Sequence, residues 1–462
     1  MKEKIKIASG QGFWGDLIDA PYDQVTKGEI DYLVMDYLAE VTMSILQKQK
    51  NKNPKLGYAK DIPELMKRIL PICVKKGIKV ITNGGGVNPV ACAEAVADVA
   101  VNLGIKDLKI AVVVGDDIKD DIARIINSGC ELNNMDTNES ILTVKDRLLS
   151  ANVYFGAFPI VEGLKLGADI VITGRTTDTG LTLAPMIYEF GWEDSDYDKL
   201  SAGTIAGHIL ECGGQSSGGN FLGDWQNIPD LAEIGFPIAE AYPNGEVVIT
   251  KHPNTGGRVS FQTVAEQLVY EIGNPAEYIT PDCVADFTSI KLEDLGNDRV
   301  RVYGIKGKEA TGFYKVSCSY QDGYSASSSL TYSWPEALTK AKAADKILRK
   351  RLQNLNLKFD EIRSEFVGYN SCHGPLSFQL EEEKINEIML RIAVRSHDLA
   401  SVERFGKEIA PLILTGPPSV TGFAGGRPKP SDVVAYWPAL LPKHLVKPEV
   451  KLISLLQESE RK

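Results

Sequence analysis

Residues 79–103 read KVITNGGGVNPVACAEAVADVAVNL. The β-branched run at Lys79–Thr82 predicts a buried strand. Asn83, Gly84, Gly85 and Gly86 interrupt it, and an Ala-rich helix follows over 89–103. Pro89 suits the first helical position, where no N–H is needed, and Ala carries the highest helix propensity. The same rhythm recurs outward from this unit. Upstream, strands are predicted at 5–8 and Tyr32–Met35, and helices over 40–50 and 62–76. The second of these helices places Leu65, Ile69, Ile72 and Cys73 on one face. Downstream lie strands at Lys109–Val114 and 169–173 and a helix over 159–166. These strands are continuous apolar runs, as expected when both faces of a sheet are covered. The expected fold class is α/β, a mostly parallel sheet with flanking helices.

A chain of 462 residues exceeds one ordinary core, so two domains are expected. The pattern changes near Pro281. Strands are predicted in series at 286–292, 299–305 and 313–319, then a basic helix over 335–352, a strand at 387–394 and a helix over 399–412. The Gly- and Pro-rich end, GFAGGRPKPSDVVAYWPALLPK at 422–443, reads as an extended arm. The expected division is an α/β ligand-binding domain at 1–280 and a smaller α+β domain at 281–462.

The net charge of −10 argues against nucleic acid or an anionic membrane surface as the main partner. The opening MKEKIKIASG lacks the apolar core of a secretory signal, and no apolar run reaches the roughly 18 residues of a membrane span. Seven scattered Cys form no C-x-x-C pair, which suits a reducing cytoplasm rather than a disulfide framework or zinc knuckle. No His, Cys or carboxylate spacing indicates a metal, and a homo-oligomer is the expected assembly.

Ligands of open α/β sheets bind beyond the carboxyl ends of the strands, and several unusual loops are expected there. The Asn83–Gly86 turn precedes a helix N-terminus and offers backbone N–H groups to a phosphate or carboxylate. Arg175, Thr176 and Asp178 follow the strand ADIVIT; Arg175 is suited to bidentate pairing with an anion, and Asp178 to neutralising it. The stretch 208–220, HILECGGQSSGGN, mixes proton-moving and nucleophilic groups with glycine. His208 and Glu211 at i, i+3 share a helix face, which suggests an imidazole general acid–base oriented by a carboxylate. Cys212 is a candidate nucleophile, provided its pKa is lowered. Gln215, Ser216 and Asn220 are candidate hydrogen-bonding groups for a polar substrate. In KHPNTGGR at 251–258, Lys251, Asn254, Thr255 and Gly256 are further binding candidates. The loop from Gly10 to Gly15 matches G-x-G-x-x-G with Asp36 ending the next strand, but Phe13, Trp14 and Pro21 make a poor opening for the long helix that a dinucleotide pyrophosphate needs.

The blocks GFWGD (12–16), DYLVMDYLAEVTMSIL (31–46), NGGGVNP (83–89), GRTTD (174–178), GHILECGGQSSGGN (207–220), TGGRVS (255–260) and ERFGKEIAPLI (403–413) resemble the acyclic terpene utilisation protein A family. The resemblance runs from about residue 4 to 445. It implies branched-acid or acyl-CoA catabolism, in which thioesters of citronellol- and geraniol-type acids are carboxylated, hydrated and cleaved. It assigns neither a reaction nor catalytic residues. Some relatives carry an extra ferredoxin-like domain, so a separate small ferredoxin-like subunit is a candidate partner. His252 is not expected throughout the family, which ranks it below His208.

The leading expectation is acid–base chemistry on a small anionic substrate, a carboxylate or a CoA thioester, of the hydratase, dehydratase or carbon–carbon lyase type. The anion is expected at the triple-glycine turn and Arg175, beside His208 and Glu211. No cofactor is assigned. The alternatives are an NAD(P)-dependent oxidoreductase using the Gly10–Gly15 loop, and a non-catalytic binding subunit acting with a small partner protein.

Overall fold

A computed structural model describes residues 2–378, 380–423 and 425–455. The chain divides into two units, one of residues up to 319 together with those from 436 onward, the other of residues 320–435. The second unit is narrower than the 281–462 expected. Strands Val284–Asp286, Lys291–Asp294, Val300–Tyr303 and Lys306–Lys308 all complete sheets of the first unit.

In the first unit, Ile5–Gln11, Tyr32–Met35, Lys79–Thr82, Ile170–Thr173 and Lys109–Val114 pair in that order, all parallel. Tyr32–Met35 and Ile170–Thr173 are buried at every position. Burial on both faces suits these largely apolar runs. Helix Asp61–Lys76 buries Leu65, Met66, Ile69, Leu70 and Cys73 against this centre. It ends at Gly77, whose φ of +70° is a left-handed cap that most side chains resist. Helix Pro89–Asn102 packs into the same core through Cys92, Ala93, Val96, Ala97 and Ala100.

The sheet is not mostly parallel, which corrects the sequence expectation. Ile238–Ala241 and Val247–Thr250 form a hairpin around the Asn244-Gly245 turn, with Gly245 at φ +87°. A hairpin reverses the chain, so its first strand meets Ile5–Gln11 antiparallel. Val300–Tyr303 and Lys291–Asp294 extend that edge, and Glu449–Ser454 closes the other edge antiparallel to Lys109–Val114. The described sheet is therefore ten-stranded and mixed. The Gly- and Pro-rich end is also more regular than a surface arm, because Ser431–Pro442 is a strand paired to the long strand Phe313–Ser333.

A small antiparallel sheet of Tyr278–Ile279, Val284–Asp286 and Lys306–Lys308 lies against helix Tyr197–Glu211, which carries His208. Gly207 lets that helix approach helix Gly180–Phe190 closely, since a Cβ there would lie 2.5 Å from the Thr179 carbonyl oxygen.

In the second unit, Glu387–Ser396 lies between Glu361–Val367 and the Phe313–Ser333 strand in an antiparallel sheet. Ile388, Leu390, Ile392 and Val394 alternate inward. They pack with Leu338, Ala341 and Leu348 of helix Ala337–Asn354 and with Val402, Phe405 and Ile409 of helix Leu399–Ile409. This is an α+β arrangement of sheet and helices. Among the described residues, no helix is long and apolar enough to cross a membrane.

Candidate functional site

The carboxyl ends of the central strands carry polar residues where the fold rule expects ligand groups. Asp36 follows Tyr32–Met35, Asn83 follows Lys79–Thr82, and Arg175 follows Ile170–Thr173 after one glycine. The Asn83 amide donates to Asp36 at 2.6 Å, and its carbonyl oxygen accepts from the Tyr37 backbone N–H at 2.8 Å. Arg175 is buried. Its Nη1 donates to the Leu38 carbonyl at 2.7 Å and to Asp178 at 3.0 Å, and its guanidinium stacks over Tyr154 at 4.1 Å. Burial pushes the Asp36 carboxyl up to about 6, against the pull of Arg175 and Asn83. Burial likewise raises Asp116 to about 7, although it accepts from the Arg175 backbone N–H and from Asn152.

A cavity of about 550 Å³ opens beside this array, lined by Arg175, Thr177, Asp178, His208, Glu211, Glu271, Tyr278, Tyr154 and Lys315 among others. Arg175 and His208, separated by more than thirty residues, thus share one cavity, with Asp178 and Glu211. The Thr177 hydroxyl is buried with no hydrogen-bond partner. Tyr278 lies over the His208 ring, 5.8 Å between centroids, and Phe287 meets the same ring edge-on at 5.4 Å. Burial holds the Tyr278 phenol protonated, well above its ordinary value.

The His208 ring is saturated. Its Nε2 lies 3.0 Å from the Gln267 backbone carbonyl, and its Nδ1 lies 2.8 Å from Glu211 Oε1. A backbone carbonyl only accepts, so Nε2 carries a hydrogen. Nδ1 then faces a carboxylate oxygen, and that contact is attractive only with a proton between them. Burial opposes a charged ring, but the Glu211 carboxylate and its hydrogen bond outweigh it, so the His208 pKa is raised. In this geometry both ring nitrogens are engaged, and the imidazole anchors the Glu211 carboxylate at the cavity wall.

The remaining candidates lie elsewhere. Gly84, Gly85 and Gly86 are buried and line no part of the cavity. The N–H groups of Gly84 and Gly86 bond to Thr82 Oγ1 and the Asn83 carbonyl, and a Cβ on Gly85 would lie 2.5 Å from the Thr173 carbonyl oxygen. The triple-glycine turn is packed by protein rather than left open for an anion. Thr176 is buried with its hydroxyl on the Phe155 carbonyl. Burial and the neighbouring Glu211 push the Cys212 thiol up to about 12, opposite to the lowering that nucleophilic activation needs. Gln215, Ser216 and Asn220 do not line the cavity either; Asn220 is exposed in a left-handed turn at φ +55°. Lys251 and Asn254 line a separate cavity of about 590 Å³ with Lys6, Glu240 and Arg299. Lys251 Nζ donates to the Thr255 carbonyl at 2.9 Å and pairs with Asp298, while the Gly256 N–H donates to the Glu233 carbonyl. These contacts tie 251–256 to itself and to Asp298 and Glu233.

Sequence reasoning missed Tyr154, Glu271, Tyr278 and Lys315. Their local patterns are those of ordinary surface or strand residues, and only chain packing brings them to the cavity. Among the described residues, no three His, Cys, Asp or Glu side chains form a group suited to a metal ion. At the Gly10–Gly15 loop, a Cβ on Gly12 would lie 2.8–3.0 Å from the backbone of residues 211–213, and the helix that follows, Ala20–Thr26, has seven residues. Neither feature suits a pyrophosphate.

Comparison with curated proteins and with solved structures gives no match. Comparison with protein families matches residues 5–452 to the family described as acyclic terpene utilisation family protein AtuA. With nearly its whole length covered, the chain belongs to the AtuA family.

Proposed function

We propose that the cavity is the active site of an enzyme that moves a proton on a small carboxylic acid or its CoA thioester, in a hydratase, dehydratase or carbon–carbon lyase reaction. The observation that carries this reading is the Glu211–His208 pair: a carboxylate on the cavity wall, backed by an imidazole whose two nitrogens are both engaged. Glu211 removes a proton from the carbon next to the substrate carbonyl. The electron pair moves to the carbonyl oxygen, where positive charge on the cavity wall opposes the developing negative charge. Lys315, held 5.0 Å from the Tyr154 ring centroid, and Arg175 supply positive charge for an anionic group. The cavity volume of about 550 Å³ lies within the usual range for small-molecule sites.

The test is solvent-deuterium exchange into the carbon next to the carbonyl of a panel of carboxylic acids and CoA thioesters, read by NMR. Glu211→Gln is expected to slow exchange by about a hundredfold or more, as for loss of a positioned general base. Exchange at the wild-type rate in Glu211→Gln overturns the reading. Exchange seen only after adding a small ferredoxin-like protein would favour the binding-subunit alternative. The packed Gly12 loop gives the oxidoreductase alternative no comparable support.

A further inference from the structure

Lys291–Asp294 is an outermost strand of the ten-stranded sheet and, among the described residues, pairs only with Val300–Tyr303. Its hydrogen-bonding phase is set at the hairpin turn, where the Leu295 N–H donates to the carbonyl of the directly opposite Arg299 at 2.8 Å. Bonded pairs alternate along an antiparallel ladder, so Glu293 and Lys291 bond inward to Arg301 and Tyr303. Leu292 and Asp294 therefore turn their N–H and carbonyl groups outward, the arrangement that accepts a further strand. Beside this edge lies an apolar groove of about 420 Å³, lined by Phe261, Leu268, Val269, Phe287, Ile290 and Leu292 among others. Phe261 and Val269, the first and last residues of helix Phe261–Val269, are 45% and 74% exposed. The helix is tied to the strand through Asp294, whose carboxylate accepts from the Phe261 N–H at 3.1 Å.

We propose that this edge binds a second copy of the chain, Lys291–Asp294 pairing antiparallel with its twin about a two-fold axis through Leu292. Hydrogen-bond phase and charge together select that register. The axis must fall on a residue whose backbone groups point outward, and directly opposite residues of an antiparallel pair share a face. With the axis at Leu292, the two Leu292 residues exchange both backbone hydrogen bonds. Lys291 of each copy then stands opposite the partner's Glu293, so two opposite-charge pairs form. Glu293 already takes Arg301 of its own chain at 3.1 Å, from the inner side of the strand. An axis at Asp294 would set two carboxylates against each other. An axis at Ile290 would need an N–H already given to the Phe287 carbonyl. The axis stands perpendicular to the sheet, so both apolar grooves fall on one face of the joined sheet, with Leu292 against the partner's Leu292. Charged residues on an edge commonly repel a stray strand. Here the alternation of sign makes the twin strand the one that fits, as a self-complementary two-fold contact requires.

The test is sedimentation velocity on the full chain across a dilution series. The wild type is expected as a dimer, or a multiple of dimers, that dissociates on dilution. Lys291→Glu sets like charges opposite each other twice and is expected to weaken the dimer by about tenfold or more. Adding Glu293→Lys to that variant restores opposite charges across the axis and should recover the dimer; Arg301 retains Glu246 at 2.6 Å. Leu292→Pro removes an outward N–H without touching the ladder to Val300–Tyr303, and should give a monomer. A wild-type chain that is monomeric at every concentration overturns the proposal and leaves the edge to a different protein. A dimer equally strong in Lys291→Glu overturns it by placing the contact on another face. Loss in Lys291→Glu without recovery in the double variant overturns the pairing of Lys291 with the partner's Glu293. Lys291 and Glu293 are exposed, so the charge variants keep the inference testable if Leu292→Pro does not fold.

Discussion

His208 and Glu211 are joined across one helical turn by a 2.8 Å contact between Nδ1 and Oε1, and the other ring nitrogen is tied to the Gln267 backbone. The pair is a stability element as well as a candidate catalytic one. Its folded-state pKa is raised above the ordinary value of 6.5. A raised histidine contributes stability that is fully present below the unfolded pKa and is lost as pH rises through the folded pKa. The stability difference between the wild type and His208→Gln, measured by urea unfolding, is therefore expected to be largest below pH 6.5 and to shrink above it. A difference independent of pH would show that the ring is not charged in the fold.

Asp116 predicts a pH dependence of its own. Its carboxyl is raised from 3.8 to about 7, chiefly by burial. Between those values the folded state binds a proton that the unfolded state has lost, so the carboxyl's contribution to stability falls as pH rises through this window. Asp116→Asn keeps an oxygen for the Arg175 N–H and Asn152 and removes the ionisation. The variant should be more stable than wild type at pH 8, by up to a few kcal/mol, and the advantage should fade below pH 4. Thermal melts across pH 4–8 check this, and a variant less stable at pH 8 would contradict it.

Gly207 tests how closely the helix bearing His208 must approach its neighbour. A Cβ there meets Thr179 backbone atoms at 2.5–2.9 Å, which cannot move without shifting the start of helix Gly180–Phe190. Gly207→Ala is expected to cost about 1–3 kcal/mol through overpacking. Gly273→Ala, with nothing within 4 Å of its Cβ position, should be within about 0.5 kcal/mol of wild type. Equal stabilities for the two variants would remove the steric argument.

Cys212 should be slow toward iodoacetamide at neutral pH, since its thiol is held near 12. The exposed Cys372 should be alkylated well before it. Mass spectrometry of a time course reads the order directly, and Cys212→Ser should retain the exchange activity expected of the cavity. Early labelling of Cys212, or loss of that activity in the serine variant, would restore it as a candidate nucleophile.

Local pattern was enough for much of the first unit. Strands at Tyr32–Met35, Lys79–Thr82 and Lys109–Val114, and helices starting near Glu40, Asp61 and Pro89, follow from apolar periodicity and from Pro and Gly punctuation. The i, i+3 spacing of His208 and Glu211 likewise placed the two on one helix face. These features depend on residues a few positions apart, which one stretch of sequence contains in full.

Pairing across long separations was decided only in three dimensions. Nothing local to Glu449–Ser454 says that it borders Lys109–Val114, and nothing local to Val300–Tyr303 says that it extends the sheet through Val247–Thr250. The mixed sheet arises from those contacts. The cavity depends on them too: Lys315, Tyr278 and Leu440 reach it from distant segments, while Gly84, Gly86 and Lys251, whose sequences invite a ligand, spend their polar groups on other protein atoms. A sequence names the groups that can bind or transfer a proton. Which of them stay free is set by the hydrogen bonds that the rest of the chain makes first.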